Sequence, residues 1–328
     1  MRNRVLLIVV LAVLVLAGLA LKMRSGERVD ELTSHALMSD EQLQQLASVD
    51  HITLSRGQDQ VELAKEDGQW GVLSHAGFPV QQERLAALLH ALRGARVVEE
   101  KTDNPDYHQR LGLDTEAADS EALQVQLHAA DQDFGVIYGN RVGNGQLVRF
   151  IDSNQVLLIN RPFGISVNPT DWLALNVVDI PLTEVSNAHW LHADGESLTM
   201  NKKAEGEYNL QLEGVAPEEQ AGTERWINSM VLALVNLTAQ NVSLRADLEL
   251  AEPMLRMEVT TNAGSVLKAS LHDVKGRYWL LIDSLERAEQ DGSLVINDDP
   301  RWAYQIGIAQ LESLNQRQAD IVRKAKAE

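Results

Sequence analysis

An unbroken apolar run near the start of the chain separates it into a membrane-compatible part and an aqueous part. The 17 residues from Val5 to Leu21 carry no charge and lie between Arg2 and Arg4 on one side and Lys22 and Arg24 on the other. As a helix the run would be about 26 Å long, near the lower limit for crossing a bilayer core of roughly 30 Å. We expect it to span the inner membrane in contact with lipid.

A cleaved signal peptide is the competing interpretation, since Gly18-Leu19-Ala20 offers a cleavage pattern. The run is longer than the ~7 to 15 residues of a usual signal h-region, which favours a retained anchor. A short N-terminus with two arginines normally stays in the cytoplasm, although basic residues on both sides reduce the contrast. The sequence therefore predicts a bacterial single-pass inner-membrane protein with most of its chain in the periplasm.

The net charge and the lack of cysteine argue against several classes of function. Acidic residues number 47 and basic residues 29, for a net charge of −18, so a nucleic-acid backbone would be repelled. The chain has no cysteine, which excludes disulfides, thiolate zinc sites and cysteine nucleophiles. We expect neither nucleic acid nor nucleotide among its partners, and no cofactor or metal.

The order of elements recurs along the chain. Short strand-like segments from Ile52 to Leu73 precede a helix over Gln81–Arg93, and five further strand-like runs follow it up to Ile159. The second half repeats this order, with a helix over Thr223–Val235. We interpret the pattern as an internal duplication, each copy an antiparallel sheet with a helix on one face.

The predicted fold class is therefore α+β, an N-terminal transmembrane helix followed by two tandem duplicated modules. The predicted divisions are an anchor over 1–24, a polar stalk over 25–50, a first module over 51–182, a second over 183–309 and a charged C-terminal helix over 310–328. Ser39 is expected to cap a short helix in the stalk. Trp70, Trp172, Trp226 and Trp302 occupy corresponding places and are expected to pack in the cores.

Three segments resemble a known family. They are Asp67-Gly68-Gln69-Trp70-Gly71-Val72, Tyr107-His108-Gln109-Arg110-Leu111-Gly112-Leu113-Asp114 and Leu147-Val148-Arg149-Phe150-Ile151. With the basic N-terminus and single anchor, they look like the bacterial family called domain of unknown function 4340. Members are commonly encoded beside ABC-2 type exporters of the gliding-motility kind, so the resemblance implies an auxiliary envelope subunit. It supplies no catalytic residues.

No motif has the spacing of a known chemistry. The glycine-rich stretch Gly139–Gly145 lacks the Lys-Ser/Thr of a P-loop and is typical of a hairpin connection. His189 and His192 lie on a predicted strand, where a spacing of three places them on opposite faces. The pairs Glu99-Glu100, Glu218-Glu219 and Asp298-Asp299 are typical of solvated carboxylates or a helix cap. No catalytic, cofactor or metal residue is predicted.

Arg141, Arg149 and Arg161 cluster around one predicted hairpin in an otherwise acidic chain, and form a candidate docking patch for a partner. The sequence thus favours an anchored accessory or scaffold subunit of an ABC-type export or envelope system, with an ABC-2 type permease or another envelope subunit as partner. An envelope hydrolase with a site assembled from distant residues and a cleaved periplasmic ligand-binding protein are the alternatives.

Overall fold

The computed structural model describes residues 34–324, except 118, 130–131, 205, 216–218, 222–223, 290 and 292–293. The apolar run predicted as the anchor lies outside the described residues. Within them, no helix combines the length and the apolar character needed to cross a bilayer. The described chain is α+β and rich in antiparallel sheet.

The elements up to residue 165 are, in chain order, β1 (His35–Ala36), α1 (Asp40–Leu46), β2 (His51–Arg56), β3 (Asp59–Glu66), β4 (Gln69–Val72), β5 (Phe78–Pro79), α2 (Gln82–Gly94), β6 (Arg96–Glu100), β7 (Leu123–Ala129), β8 (Gln132–Val142), β9 (Gly145–Phe150) and β10 (Leu157–Ile159). These bounds confirm the strands and the helix predicted for this half.

The remaining elements are β11 (Asn176–Asp179), β12 (Val185–His192), β13 (Ser197–Asn201), β14 (Gln211–Leu212), β15 (Glu219–Ala221), α3 (Glu224–Val235), β16 (Asn236–Thr238), β17 (Asn241–Leu244), β18 (Leu255–Thr261), β19 (Val266–Val274), β20 (Arg277–Glu286), β21 (Val295–Ile296), β22 (Trp302–Ile306), α4 (Ile308–Leu314), α5 (Gln318–Ile321) and β23 (Val322–Lys324). The helix predicted over Thr223–Val235 is confirmed as α3.

Packing groups the described residues into two units, each discontinuous in sequence. Unit 1 contains residues 34–59 and 87–165, and unit 2 contains 60–86 and 166–324. The boundary predicted between residues 182 and 183 concerns the repeat and stays a prediction. Segment 60–86 belongs to unit 2 because Phe78 packs edge-on against Trp302, with ring centroids 5.1 Å apart.

Unit 1 is built on strands in the order β1-β6-β10-β9-β8-β7-β2. Buried and half-buried residues alternate along β7, so Leu123, Val125 and Leu127 face the core. A second cluster of buried side chains comprises Leu113, Ala122, Ile137, Leu147 and Val156.

Unit 2 contains an eight-stranded sheet in the order β14-β13-β12-β18-β19-β20-β22-β17. Its six strands β17-β22-β20-β19-β18-β12 follow the same chain-order pattern as β6-β10-β9-β8-β7-β2 of unit 1. Along the chain α2 precedes β6, and α3 precedes β17. The pair β3-β4, which follows β2 in the chain, also corresponds to the pair β13-β14, which follows β12.

Residues 34–50, predicted as part of a polar stalk, are packed into unit 1. Leu37, Met38 and Leu46 are buried, because β1 pairs with β6 and fixes this segment on the sheet edge. The predicted cap is confirmed: Ser39 accepts a hydrogen bond from the Gln42 amide, and the Gln42 side chain accepts one from the Ser39 amide.

The C-terminal segment differs from the single charged helix predicted over 310–328. The chain forms α4, turns at residues 315–317, forms one turn of α5 and continues as β23, which pairs with β15. The break has a physical reason, since Arg317 makes ion pairs of 2.8 and 2.9 Å with Asp194 and Glu196 and a straight helix would forfeit them.

The expectation that the tryptophans pack in the cores also needs correction. Trp172 and Trp302 are buried as predicted, but Trp226 is 49% exposed. The buried stripe of α3 runs through Ile227, Met230, Val231 and Leu234, and Trp226 lies one residue outside it. Trp302 begins strand β22.

Candidate docking site

A recess of about 160 Å³ opens in unit 1 between the C-terminal half of α2 and the segment that follows β10. Apolar groups dominate its walls, and polar groups stand among them. The lining residues are His90, Ala91, Gly94, Ala95, Tyr138, Ile159, Asn160, Arg161, Pro162 and Phe163.

Hydrogen bonds to the sheet fix the segment after β10 as one wall of the recess. The Phe163 amide donates to Oε1 of Gln146 at 2.7 Å, and Nε2 of Gln146 donates to the Gly139 carbonyl at 2.9 Å. Asn160 exchanges hydrogen bonds with the Arg96 main chain at 3.0 and 3.2 Å. The recess is therefore held by the sheet rather than by a free loop.

Tyr138 contributes a buried aromatic ring and a hydroxyl without a partner. Its ring lies 5.0 Å from that of Phe163, and the residue is 2% exposed. Within the described part of the chain the hydroxyl makes no hydrogen bond, and it is not one of the buried polar atoms left without a partner there. Burial raises the pKa of this hydroxyl above its usual value, so it stays protonated and able to donate.

Two of the three arginines of the predicted patch lie near this recess with unengaged guanidinium groups. Arg161 lines the recess, and a Cβ atom built on Gly164 would lie 3.6 Å from Nη2 of Arg141. Both side chains are exposed, and neither makes a hydrogen bond or ion pair with the described residues. They are available to a negatively charged partner.

Arg149 is engaged inside unit 1 instead. Its guanidinium donates to the carbonyls of Leu113, Phe150 and Ser153 at 3.1, 3.2 and 3.4 Å. Burial lowers the pKa of this guanidinium, and the nearby Asp114 carboxylate opposes that effect. Arg149 holds main-chain segments together, and its donors are not free for docking.

Comparison of the sequence with models of known families supports the resemblance. The sequence model described as Domain of unknown function (DUF4340) matches residues 70–253, more than half of the chain. The chain belongs to the DUF4340 family. No curated protein and no solved structure matches it significantly.

The segments that resemble DUF4340 form turns and strands of the two units. Asp67 and Gly68 adopt positive φ angles of 49° and 84° in the turn before Trp70. Gly112 also has a positive φ, of 69°, and places Leu113 fully buried in the core of unit 1. The third segment forms β9. These residues have structural roles, and none of them lines the recess.

The other candidates from the sequence have structural roles. The glycine-rich stretch is the β8–β9 hairpin, since Val142 pairs with Gly145 across its turn. His189 and His192 lie on opposite faces of β12, as predicted. Asp299 accepts hydrogen bonds from the Arg301 main chain and guanidinium, and no group of metal-binding side chains occurs among the residues described.

A second cleft, of about 260 Å³, lies on the open face of the unit 2 sheet. Several of its charged groups already have partners: Lys268 pairs with Glu258 at 3.4 Å, and Asp283 accepts a hydrogen bond from Ser270 at 3.0 Å. Because a ligand there would have to displace existing partners, the recess of unit 1 is the better docking candidate.

Sequence patterns missed Tyr138, Phe163 and His90. Tyr138 follows the inward alternation of its strand, where a core role is the default interpretation. The Asn160-Arg161-Pro162-Phe163 step was the available signal, because proline with a basic and an aromatic neighbour marks an irregular segment that can shape a pocket.

Proposed function

We propose that this chain is a membrane-anchored periplasmic accessory subunit of an ABC-type export or other envelope system, and that it acts by binding a partner. The recess of unit 1 carries the proposal. Among the described residues it joins apolar walls, a tyrosine hydroxyl that makes no hydrogen bond and an unengaged cation, which is the composition of a protein-docking pocket.

The apolar run Val5–Leu21 supports the anchor, and the shared strand order of the two units supports the internal duplication. A duplicated pair of sheet modules on one anchor would present binding surfaces close to the bilayer. Any nucleotide hydrolysis then belongs to the partner, with an ABC-2 type permease as the expected class.

Affinity capture of the tagged full chain from mild detergent tests the role. We expect a permease or another envelope subunit to be recovered with the wild-type chain, and less of it with Arg161→Gln. Recovery of the chain alone, in repeated captures, would contradict the accessory role.

Intact-mass measurement of the mature protein tests the anchor. We expect a mass that includes residues 1–24. Loss of about the first 20 residues would instead support the cleaved, ligand-binding alternative.

A further inference from the structure

The two units differ in the segment that follows β10 in unit 1 and β22 in unit 2. In unit 2, β22 runs antiparallel to β17 and is followed by α4, which packs against α3. The Gln310 side chain there donates to the Ala233 carbonyl of α3 at 2.8 Å, and Leu314 is fully buried. In unit 1, β10 runs antiparallel to β6 in the same position of the strand order, but the chain that follows it lines the open recess.

In unit 2 the chain itself supplies an amphipathic helix beside the C-terminal half of the preceding helix. We infer that the recess of unit 1 receives an amphipathic helix of a partner protein, with one Leu- or Phe-sized side chain between α2 and Phe163 and a carboxylate beside Arg161. This inference rests on the binding role proposed above and names the partner's chemistry.

The size of the recess fits one side chain. Its 160 Å³ is close to the volume of an engineered apolar cavity of about 150 Å³ that binds benzene. Ala91, Ala95 and Ile159 provide apolar contacts, and Phe163 provides an aromatic wall. A longer row of apolar side chains would not enter, so the rest of the partner helix must lie across the rim.

Charge sets the orientation of the partner helix. The C-terminal end of α2 carries partial negative charge on its last carbonyl groups, which repels a carboxylate and attracts a donor. The Arg161 guanidinium stands on the opposite wall without an acceptor among the described residues. An acidic residue of the partner therefore belongs at Arg161, and an amide or hydroxyl donor at the end of α2, as Gln310 is placed in unit 2.

A peptide from this chain supplies a probe with these features. Residues 307–316 include Gln310, Leu311, Glu312 and Leu314. The peptide would be fluorescein-labelled and held helical by a side-chain lactam. Fluorescence anisotropy would measure its binding to the full chain in lipid nanodiscs, together with peptides carrying Leu314→Ala or Glu312→Gln.

We expect saturable binding that weakens with each altered peptide. Ala91→Leu should fill the recess and lower affinity about 10-fold or more, since overpacking costs roughly 1 to 3 kcal/mol. Arg161→Gln should lower it about 2- to 5-fold, as expected for a partly exposed ion pair. Arg93→Gln, an equally charged change on the exposed face of α2, is the matched control and should leave affinity unchanged.

Tyr138→Phe separates a binding role from a structural one. Removal of a hydroxyl that has no protein partner should leave the free energy of unfolding unchanged or higher, while peptide affinity falls. The inference is overturned if the peptide does not bind, or if Ala91→Leu folds normally and binds it equally well. If a membrane partner is still captured by Ala91→Leu, the accessory role survives and the recess is not its contact.

Discussion

Arg149 and Arg161 belong to one predicted patch but have different roles. Arg149 holds main-chain segments together, and Arg161 is available to a partner. Arg149→Ala removes the donor to three main-chain carbonyls, and we expect the free energy of unfolding to fall by about 1 to 3 kcal/mol. Arg161→Ala removes no hydrogen bond or ion pair with the described residues, and its stability should stay within about 0.5 kcal/mol of wild type. Urea unfolding followed by circular dichroism measures both, and equal losses would contradict this division.

His192 makes the C-terminal segment sensitive to acid. Its Nε2 lies 3.2 Å from the Gln316 carbonyl and must donate to it, while its Nδ1 is buried without a partner. Burial, with Arg317 adding, lowers the pKa of the folded His192 below its ordinary value of 6.5, against weaker opposing effects from Glu196, the Gln316 carbonyl and Asp194. The stability it contributes is therefore present above pH 6.5 and is lost as pH falls through the lower folded pKa.

We expect wild type to lose more stability than His192→Gln between pH 7.5 and pH 5.5. The hydrogen bond from the Arg317 side chain lowers the pKa of Asp194, and that from the Gln318 amide lowers the pKa of Glu196, so both carboxylates lose their contributions only in more acidic solution. Urea midpoints at the two pH values provide the measurement, and identical shifts in both proteins would exclude His192 as the source.

At the scale of elements, β8 depends on a close approach that only glycine permits. A Cβ atom on Gly139 would lie 2.5 Å from the Leu111 carbonyl oxygen and 2.8 Å from Cγ of Leu113. Gly139→Ala should therefore push segment 111–113 away and lower stability by about 1 to 3 kcal/mol. Gly94→Ala, which meets no atom within 4 Å, is the control. Thermal unfolding of both variants tests this, and a Tm for Gly139→Ala equal to wild type would show that the segment can yield freely.

Local periodicity explains which elements the sequence could predict. The spacing of Leu85, Leu88 and Leu92 predicts α2, and alternation predicts β7, because both signals lie within the element itself. The bend at Arg317 depends on carboxylates more than 100 positions earlier, so no local pattern contains it. The recess likewise forms only when sheet pairing brings Tyr138 and Phe163 together. Its arginines were the only part of the site that the sequence predicted.

At the scale of the whole molecule, the proposed orientation across the membrane can be tested by cysteine labelling because the chain has no cysteine. Glu252→Cys, at a side chain 92% exposed, should react with an impermeant maleimide added to spheroplasts if the main part is periplasmic. Arg2→Cys should react only after lysis. Labelling of Arg2→Cys alone in intact spheroplasts would reverse the proposed orientation.

The placement of Phe78 imposes an order of events on biogenesis. Its neighbours Trp302 and Tyr304 lie near the other end of the chain, so an emerging polypeptide exposes this ring long before they are synthesised. Unit 2 must therefore wait until β22 has been synthesised before it can close, a delay typical of folds rich in distant contacts. A chain that terminates before β22 would leave the Phe78 ring without its aromatic neighbours and the sheet of unit 2 incomplete. Quality-control proteases would be expected to degrade such a chain.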